Sequence, residues 1–230
     1  MNKEKIISSA IEYINSNKKL FIEEFTLDIS PADTKIAIFT AGMSGVGKTE
    51  FGQFLKEQNP NLLHIDTDII RDFFKSVGYT GQNSDIFQKP ASKGFSKLFD
   101  YALKKSLSII LDSNLSNISK ATENIDRLLN KGYNIELYYL YNNPAVCYEY
   151  AIKREVVTNR KVPYDVFTKS NIDSFNTVIA LKQQYNDKIT MNYLDKRDDT
   201  LYKDIDSDKL IEKIGGYFDI KWRTDGTSYK

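Results

Sequence analysis

The stretch that most constrains this chain is Gly42-Met43-Ser44-Gly45-Val46-Gly47-Lys48-Thr49. It follows a compact run of apolar residues, Lys35-Ile36-Ala37-Ile38-Phe39, and leads into helical spacing over residues 48–57. Gly42, Gly47, Lys48 and Thr49 occupy the fixed positions of G-x-x-x-x-G-K-[ST]. Glycines let backbone N–H groups converge on an anion with no Cβ in the way. A helix N-terminus beneath them adds partial positive charge. In such a loop Lys48 reaches the outer phosphates and the Thr49 hydroxyl ligates Mg2+. A chance match in an ordinary glycine turn is the competing reading, and the strand–loop–helix setting argues against it. Gly45 and Gly47 also suggest a dinucleotide fingerprint, but Glu50 stands where its last glycine belongs. The stretch predicts a nucleoside triphosphate site.

Four further apolar runs, at 62–65, 107–111, 135–141 and 189–194, read as strands. Helical patterns fall between them at 69–77, 92–105, 119–131, 144–157 and 166–186. Strand and helix alternating in this way predict a parallel sheet covered on both sides. Ile6, Ile7, Ala10, Ile11 and Ile14 carry helical spacing ahead of the first strand. The expectation is one α/β domain over 1–230, a P-loop NTPase-type parallel sheet with helices on both faces. It carries an N-terminal helical segment at 1–30, a short lid at 154–164 and a loosely held tail at 219–230. Thirty-two Lys and Arg against 31 Asp and Glu leave a net charge of +1, so no overall field gathers nucleic acid or an anionic membrane. Cys147 and His64 are the only residues of their kinds, which excludes an intrachain disulfide and a Cys/His zinc set. No apolar run approaches the roughly 18 residues of a membrane span. The start, Met1-Asn2-Lys3-Glu4-Lys5, leads into a mixed polar segment, and a cytoplasmic location is expected.

A GTPase switch needs D-x-x-G after the third strand and N-K-x-D later. Asp112-Ser113-Asn114-Leu115 and Asn130-Lys131-Gly132-Tyr133 supply neither. The second strand closes on His64-Ile65-Asp66-Thr67-Asp68, with Arg71 following. Ligands of open α/β sheets lie at the carboxyl ends of the strands, so Asp66 or Asp68 faces the γ-phosphate from the acceptor side. A carboxylate there can orient an acceptor hydroxyl and take its proton, and capping of the next helix by Asp68 is the alternative. Asp112 ends the third strand, placed either to hold Mg2+ or to contact substrate, or else as a plain turn residue before Asn114. Arg154 and Arg160 follow the fourth strand on what reads as a mobile segment. From there they can neutralise a transferring phosphoryl group, although surface arginines are far commoner. Cys147 reads as a small buried apolar residue, and His64 as packed or capping.

Four stretches taken in order resemble the zeta toxin family of P-loop kinases. They are Gly42–Thr49, Ile65-Asp66-Thr67-Asp68-x-x-Arg71, Asp112-Ser113-Asn114, and Arg154-Glu155 with Arg160-x-x-Pro163. The resemblance implies ATP- and Mg2+-dependent phosphorylation of UDP-N-acetylglucosamine or a similar nucleotide sugar, and in many members a small antitoxin partner. It puts the base on Asp68, the loop lysine on Lys48 and the lid arginines on Arg154 and Arg160. Asp66, Arg71, Asp112 and Asn114 then face the substrate, and Thr49 and Asp112 the metal. The chain departs from the family where Glu-Gly-Thr often closes the third strand, since Asp112-Ser113-Asn114 stands there. The family's acceptor-side acid on the helix at 92–105 has only Asp100 as a candidate. Alternatives on the same scaffold are a polynucleotide or nucleoside kinase, and an ATP-binding module without chemistry. The balanced charge argues against a nucleic-acid substrate.

Overall fold

The computed structural model describes residues 2–158 and 162–216. Five strands run parallel: β1 (Ile36–Ala41), β2 (Leu63–Asp66), β3 (Ile109–Asp112), β4 (Asn134–Tyr141) and β5 (Thr190–Asp195). A short sixth strand, β6 (Thr200–Tyr202), pairs antiparallel with β5, and the order across the sheet is β2-β3-β1-β4-β5-β6. Successive side chains of a strand point to opposite faces. Accordingly Ala37, Phe39 and Ala41 of β1 enter the larger core, while Ile38 joins Leu62 and Ile110 in a smaller one. Both faces of the central strand are buried, which is why β1 reads as a continuous apolar run.

The helices are α1 (Lys3–Ser16), α2 (Lys18–Thr26), α3 (Lys48–Gln58), α4 (Thr67–Asp72), α5 (Ser84–Lys105), α6 (Ile118–Leu129), α7 (Pro144–Thr158), α8 (Tyr164–Tyr185) and α9 (Ser207–Ile214). The N-terminal pair docks on α5 through Ile14 and Phe21, both fully buried. Gly94 of α5 permits that approach, because a Cβ there would lie 2.7 Å from Ile70 Cγ2 and 3.1 Å from Phe21 Cζ. None of these helices is long and apolar enough to cross a membrane.

Two differences from the sequence expectation bear on the site. The helix expected at 92–105 begins at Ser84 and carries Pro90 inside it. Proline in a helix interior removes a hydrogen bond and crowds the preceding turn. Here Phe87 compensates, packing against Phe74 and Tyr79 at ring distances of 5.7 and 5.5 Å. The helix expected at 69–77 instead breaks into α4 and a 3-10 turn at Lys75–Val77. Beyond β5, the sequence pattern predicts neither β6 nor α9. β6 is too short to show a period, whereas α9 carries a readable cap in Asp206, which accepts from the Lys209 N–H at 2.7 Å. The tail at 219–230 lies outside the described residues.

Candidate active site

Parallel register brings three strand ends to one level, Asp66 opposite Asp112 and Asp112 opposite Thr40. The loop from β1 to α3 rises beside them. Its glycines are needed where the chain is tightest. Gly42 (φ 133°) and Gly45 (φ 80°) lie in the region that favours glycine, and a Cβ on either would collide with the carbonyl oxygen of Leu140 or Cys147. The Gly42 N–H donates to Ser174 Oγ of α8 at 3.2 Å. Lys48 Nζ folds over the loop and donates to the carbonyls of Gly42 (3.0 Å) and Met43 (2.8 Å). Burial pulls the Lys48 ammonium below its ordinary value, with the Asp112 carboxylate opposing the shift and Arg154 adding to it.

Asp112 is held from both sides by hydroxyls. Thr40 Oγ1 donates to Oδ1 at 2.9 Å and Thr49 Oγ1 to Oδ2 at 3.2 Å. Burial acts to raise this carboxyl, but His64, Lys48 and Thr40 outweigh it and leave it below its ordinary value. The hydroxyl of Thr49 beside a buried, ionised carboxylate is an all-oxygen donor set of the kind that suits Mg2+.

The two aspartates of the β2–α4 turn have different surroundings. Asp66 is buried and caps α4, its Oδ1 accepting from the Asp68 N–H at 2.7 Å. Burial, then the Asp112 and Asp68 carboxylates, push the Asp66 carboxyl up to about 7. Capping therefore belongs to Asp66 and not to Asp68. Asp68 keeps 36% of its side chain exposed, lines the cleft, and accepts from Arg71 Nη1. Arg71 is almost wholly buried and donates Nη2 to Gln88 Oε1 of α5. Gln88 escaped the sequence reading because it lies in the part of α5 that precedes Pro90.

Arg154 sits near the end of α7, within the helix expected at 144–157, and donates Nη2 to Ser44 Oγ at 3.0 Å. That contact brings its guanidinium onto the phosphate loop. Arg160 lies outside the described residues. Asn114 is exposed at the cleft wall. Asp100 instead pairs with Arg127 at 2.6 Å on the exposed side of α5. Cys147 is fully buried, and burial pushes its thiol up to about 12, as befits a packing residue.

Gly45, Lys48, Thr49, Asp66, Asp68, Arg71, Asp112, Asn114 and Arg154 all line one cleft of ≈ 2420 Å³. That is more than twice the roughly 300–1,000 Å³ of a pocket for one small molecule, room for two substrates side by side.

No curated protein matches the sequence significantly. Among solved structures, a chain of the PezAT chromosomal toxin–antitoxin system of Streptococcus pneumoniae superposes with TM-score 0.67 at 16% identity, over 89% of this chain and 86% of that one. A chain of the AvrRxo1-ORF1:AvrRxo1-ORF2 complex with ATP gives TM-score 0.59 at 14% identity, over 92% and 70%. A putative kinase from Chloroflexus aurantiacus gives 0.52 at 14% identity, over 80% and 96%. At such identities these likenesses speak for the fold. The zeta toxin family model matches the sequence itself over residues 19–207, from α2 through the phosphate loop and the β2–α4 turn to the start of α9, and the chain belongs to the zeta toxin family.

Proposed function

We propose that this chain transfers the γ-phosphoryl group of ATP to a hydroxyl of a nucleotide sugar such as UDP-N-acetylglucosamine. The observation that carries the reading is the convergence of the triphosphate loop, the Asp68–Arg71 pair and Arg154 on one cleft. ATP phosphates occupy the loop, and Lys48 exchanges its two carbonyl partners for phosphate oxygens. Thr49 and Asp112 would hold Mg2+, which when bound would supply positive charge to the phosphates. Asp68, held at the cleft by Arg71, accepts the proton of the acceptor hydroxyl as that hydroxyl's oxygen bonds to phosphorus. The bond to the ADP oxygen breaks as that bond forms. Arg154 neutralises charge on the equatorial oxygens, worth most while the group is in transit. Arg160 takes the same role in this reading, with 154–164 acting as a lid. Asp66, Arg71, Asp112 and Asn114 face the acceptor. Residues 1–230 form one catalytic unit, working in the cytoplasm with a small antitoxin protein as partner. Family membership and the toxin–antitoxin origin of the pneumococcal neighbour support that partner.

The deciding assay incubates the protein with ATP and Mg2+ on UDP-N-acetylglucosamine and seeks a phosphorylated product by mass spectrometry. A parallel reaction uses 5′-hydroxyl oligonucleotides. Phosphorylated sugar nucleotide is the expected product. Efficient labelling of the oligonucleotide with none of the sugar nucleotide would overturn the choice of acceptor.

A further inference from the structure

Beneath the cleft floor lies a polar cluster that the phosphotransfer scheme only partly uses. The chain's one histidine is inside β2, its ring wedged against α3 so that a Cβ on Gly52 would come within 2.9 Å of Cε1 and Nε2. His64 is 6% exposed, and Nε2 has no hydrogen-bond partner among the described residues. Asp66 is 4% exposed and leaves Oδ2 in the same condition, since only Oδ1 caps α4. Asp112 supplies the third group, with Oδ2 at 3.7 Å from His64 Nε2. One ligand atom from each of the three lies within 4.8 Å of the other two.

A histidine resting on a single carboxylate needs no further explanation than an ion pair. Here a second carboxylate oxygen is buried beside the pair with nothing to bond, and an orphaned buried acceptor is costly. One imidazole nitrogen with two carboxylate oxygens is a donor set for zinc and its first-row neighbours. Mg2+ prefers oxygen ligands and retains several waters. Zinc binds such atoms at about 2.0–2.2 Å and at tetrahedral angles holds them about 3.3–3.6 Å apart. His64 Nε2 and Asp112 Oδ2, at 3.7 Å, stand close to that spacing, and the three-atom set, within 4.8 Å, closes by movement of the aspartate side chains. Asp66 and Asp112 also line the cleft, which provides both an entry path and an open fourth position.

We propose that His64, Asp66 and Asp112 bind a divalent cation of the zinc type, at a site distinct from the Mg2+ position beside Thr49, and that its occupancy silences phosphotransfer. The two sites share Asp112. Its Oδ2 accepts from Thr49, and drawing that oxygen toward His64 removes the partner that orients the Thr49 hydroxyl. Binding stands on the geometry alone, whereas silencing rests on the function proposed above.

The single imidazole makes the test direct. Tag-free, metal-stripped full-length protein is titrated with Zn2+ in excess Mg2+ while long-range 1H–15N NMR follows the two ring nitrogens of His64. One equivalent of Zn2+ should move Nε2 to the metal-bound position, and Co2+ in its place should give visible absorption of four-coordinate type. His64→Gln should weaken zinc binding by roughly 100-fold or more, beyond the 10–100-fold that loss of an outer-shell partner costs. Zinc should stop phosphotransfer in the wild type and leave His64→Gln active. Ring nitrogens unmoved by zinc, or moved equally by Mg2+, would overturn the site, and those spectra need no variant to fold. Equal zinc affinity in a folded His64→Gln would overturn it too. Zinc bound at His64 with an unchanged rate would overturn the silencing. Absence of phosphotransfer even with Mg2+ alone would count against the kinase reading and leave the metal result standing.

Discussion

Replacing Asp66 with asparagine should stabilise the protein at alkaline pH and leave it unchanged in acid. Asparagine caps a helix about as well as aspartate, so α4 keeps its bond from the Asp68 N–H. What changes is the second oxygen, buried without a partner, which becomes an N–H donor beside Asp112. The Asp66 carboxyl rises from the 3.8 of an unperturbed aspartate to about 7, chiefly through burial and then through Asp112 and Asp68. About three pH units at ~1.4 kcal/mol each set a ceiling of about 4 kcal/mol on the cost of ionising it in the fold. Between those two values the folded chain holds one more proton than the unfolded chain. Stability contributed by Asp66 therefore falls as pH rises through that window and levels off above about 7. Urea unfolding of metal-free wild type and Asp66→Asn should show coincident midpoints near pH 4. The variant should lead by at least ~1 kcal/mol near pH 8, with unchanged m. An equal difference at both pH values, or a loss at pH 8, would refute the account of a carboxyl buried against its charge.

Asp68→Asn keeps the contact with Arg71 but loses the base, and turnover should drop about 10²-fold or more while ATP affinity measured by calorimetry barely moves. If the large loss appears in Asp66→Asn instead, the two roles are reversed. Arg154→Ala should lower the single-turnover rate more than it lowers ATP affinity, because its charge counts most on the moving phosphoryl group; matched losses would make it a ground-state grip. Gly45→Ala forces a side chain to φ 80° against the Cys147 carbonyl and should cost about 1–3 kcal/mol in thermal or urea unfolding, with weaker ATP binding. An unaltered midpoint would mean that the loop relaxes freely.

What could be read ahead of the structure was whatever depends on local sterics or on strand ends. The phosphate loop is legible because only glycine tolerates the backbone angles and close approaches at Gly42 and Gly45, and each of these is written as a residue type at a fixed offset. The meeting of Asp66 and Asp112 follows from parallel register, which the alternation of strands and helices foretells. The division of labour within the β2–α4 turn was not legible. Asp66 and Asp68 are the same residue two positions apart, and only burial separates a capping acid at about 7 from one open to the cleft. Gln88 was hidden for a different reason, since Pro90 is a sound local argument for ending a helix and tertiary packing of Phe87 outweighs it. His64 combines both difficulties. As a lone histidine in an apolar strand it reads as packing, and packing is indeed what its contact with Gly52 shows. That one nitrogen of the same ring lies within 4.8 Å of an oxygen from each of two buried carboxylates depends on β2, β3 and α3 together, three elements separated in sequence and joined only by the fold.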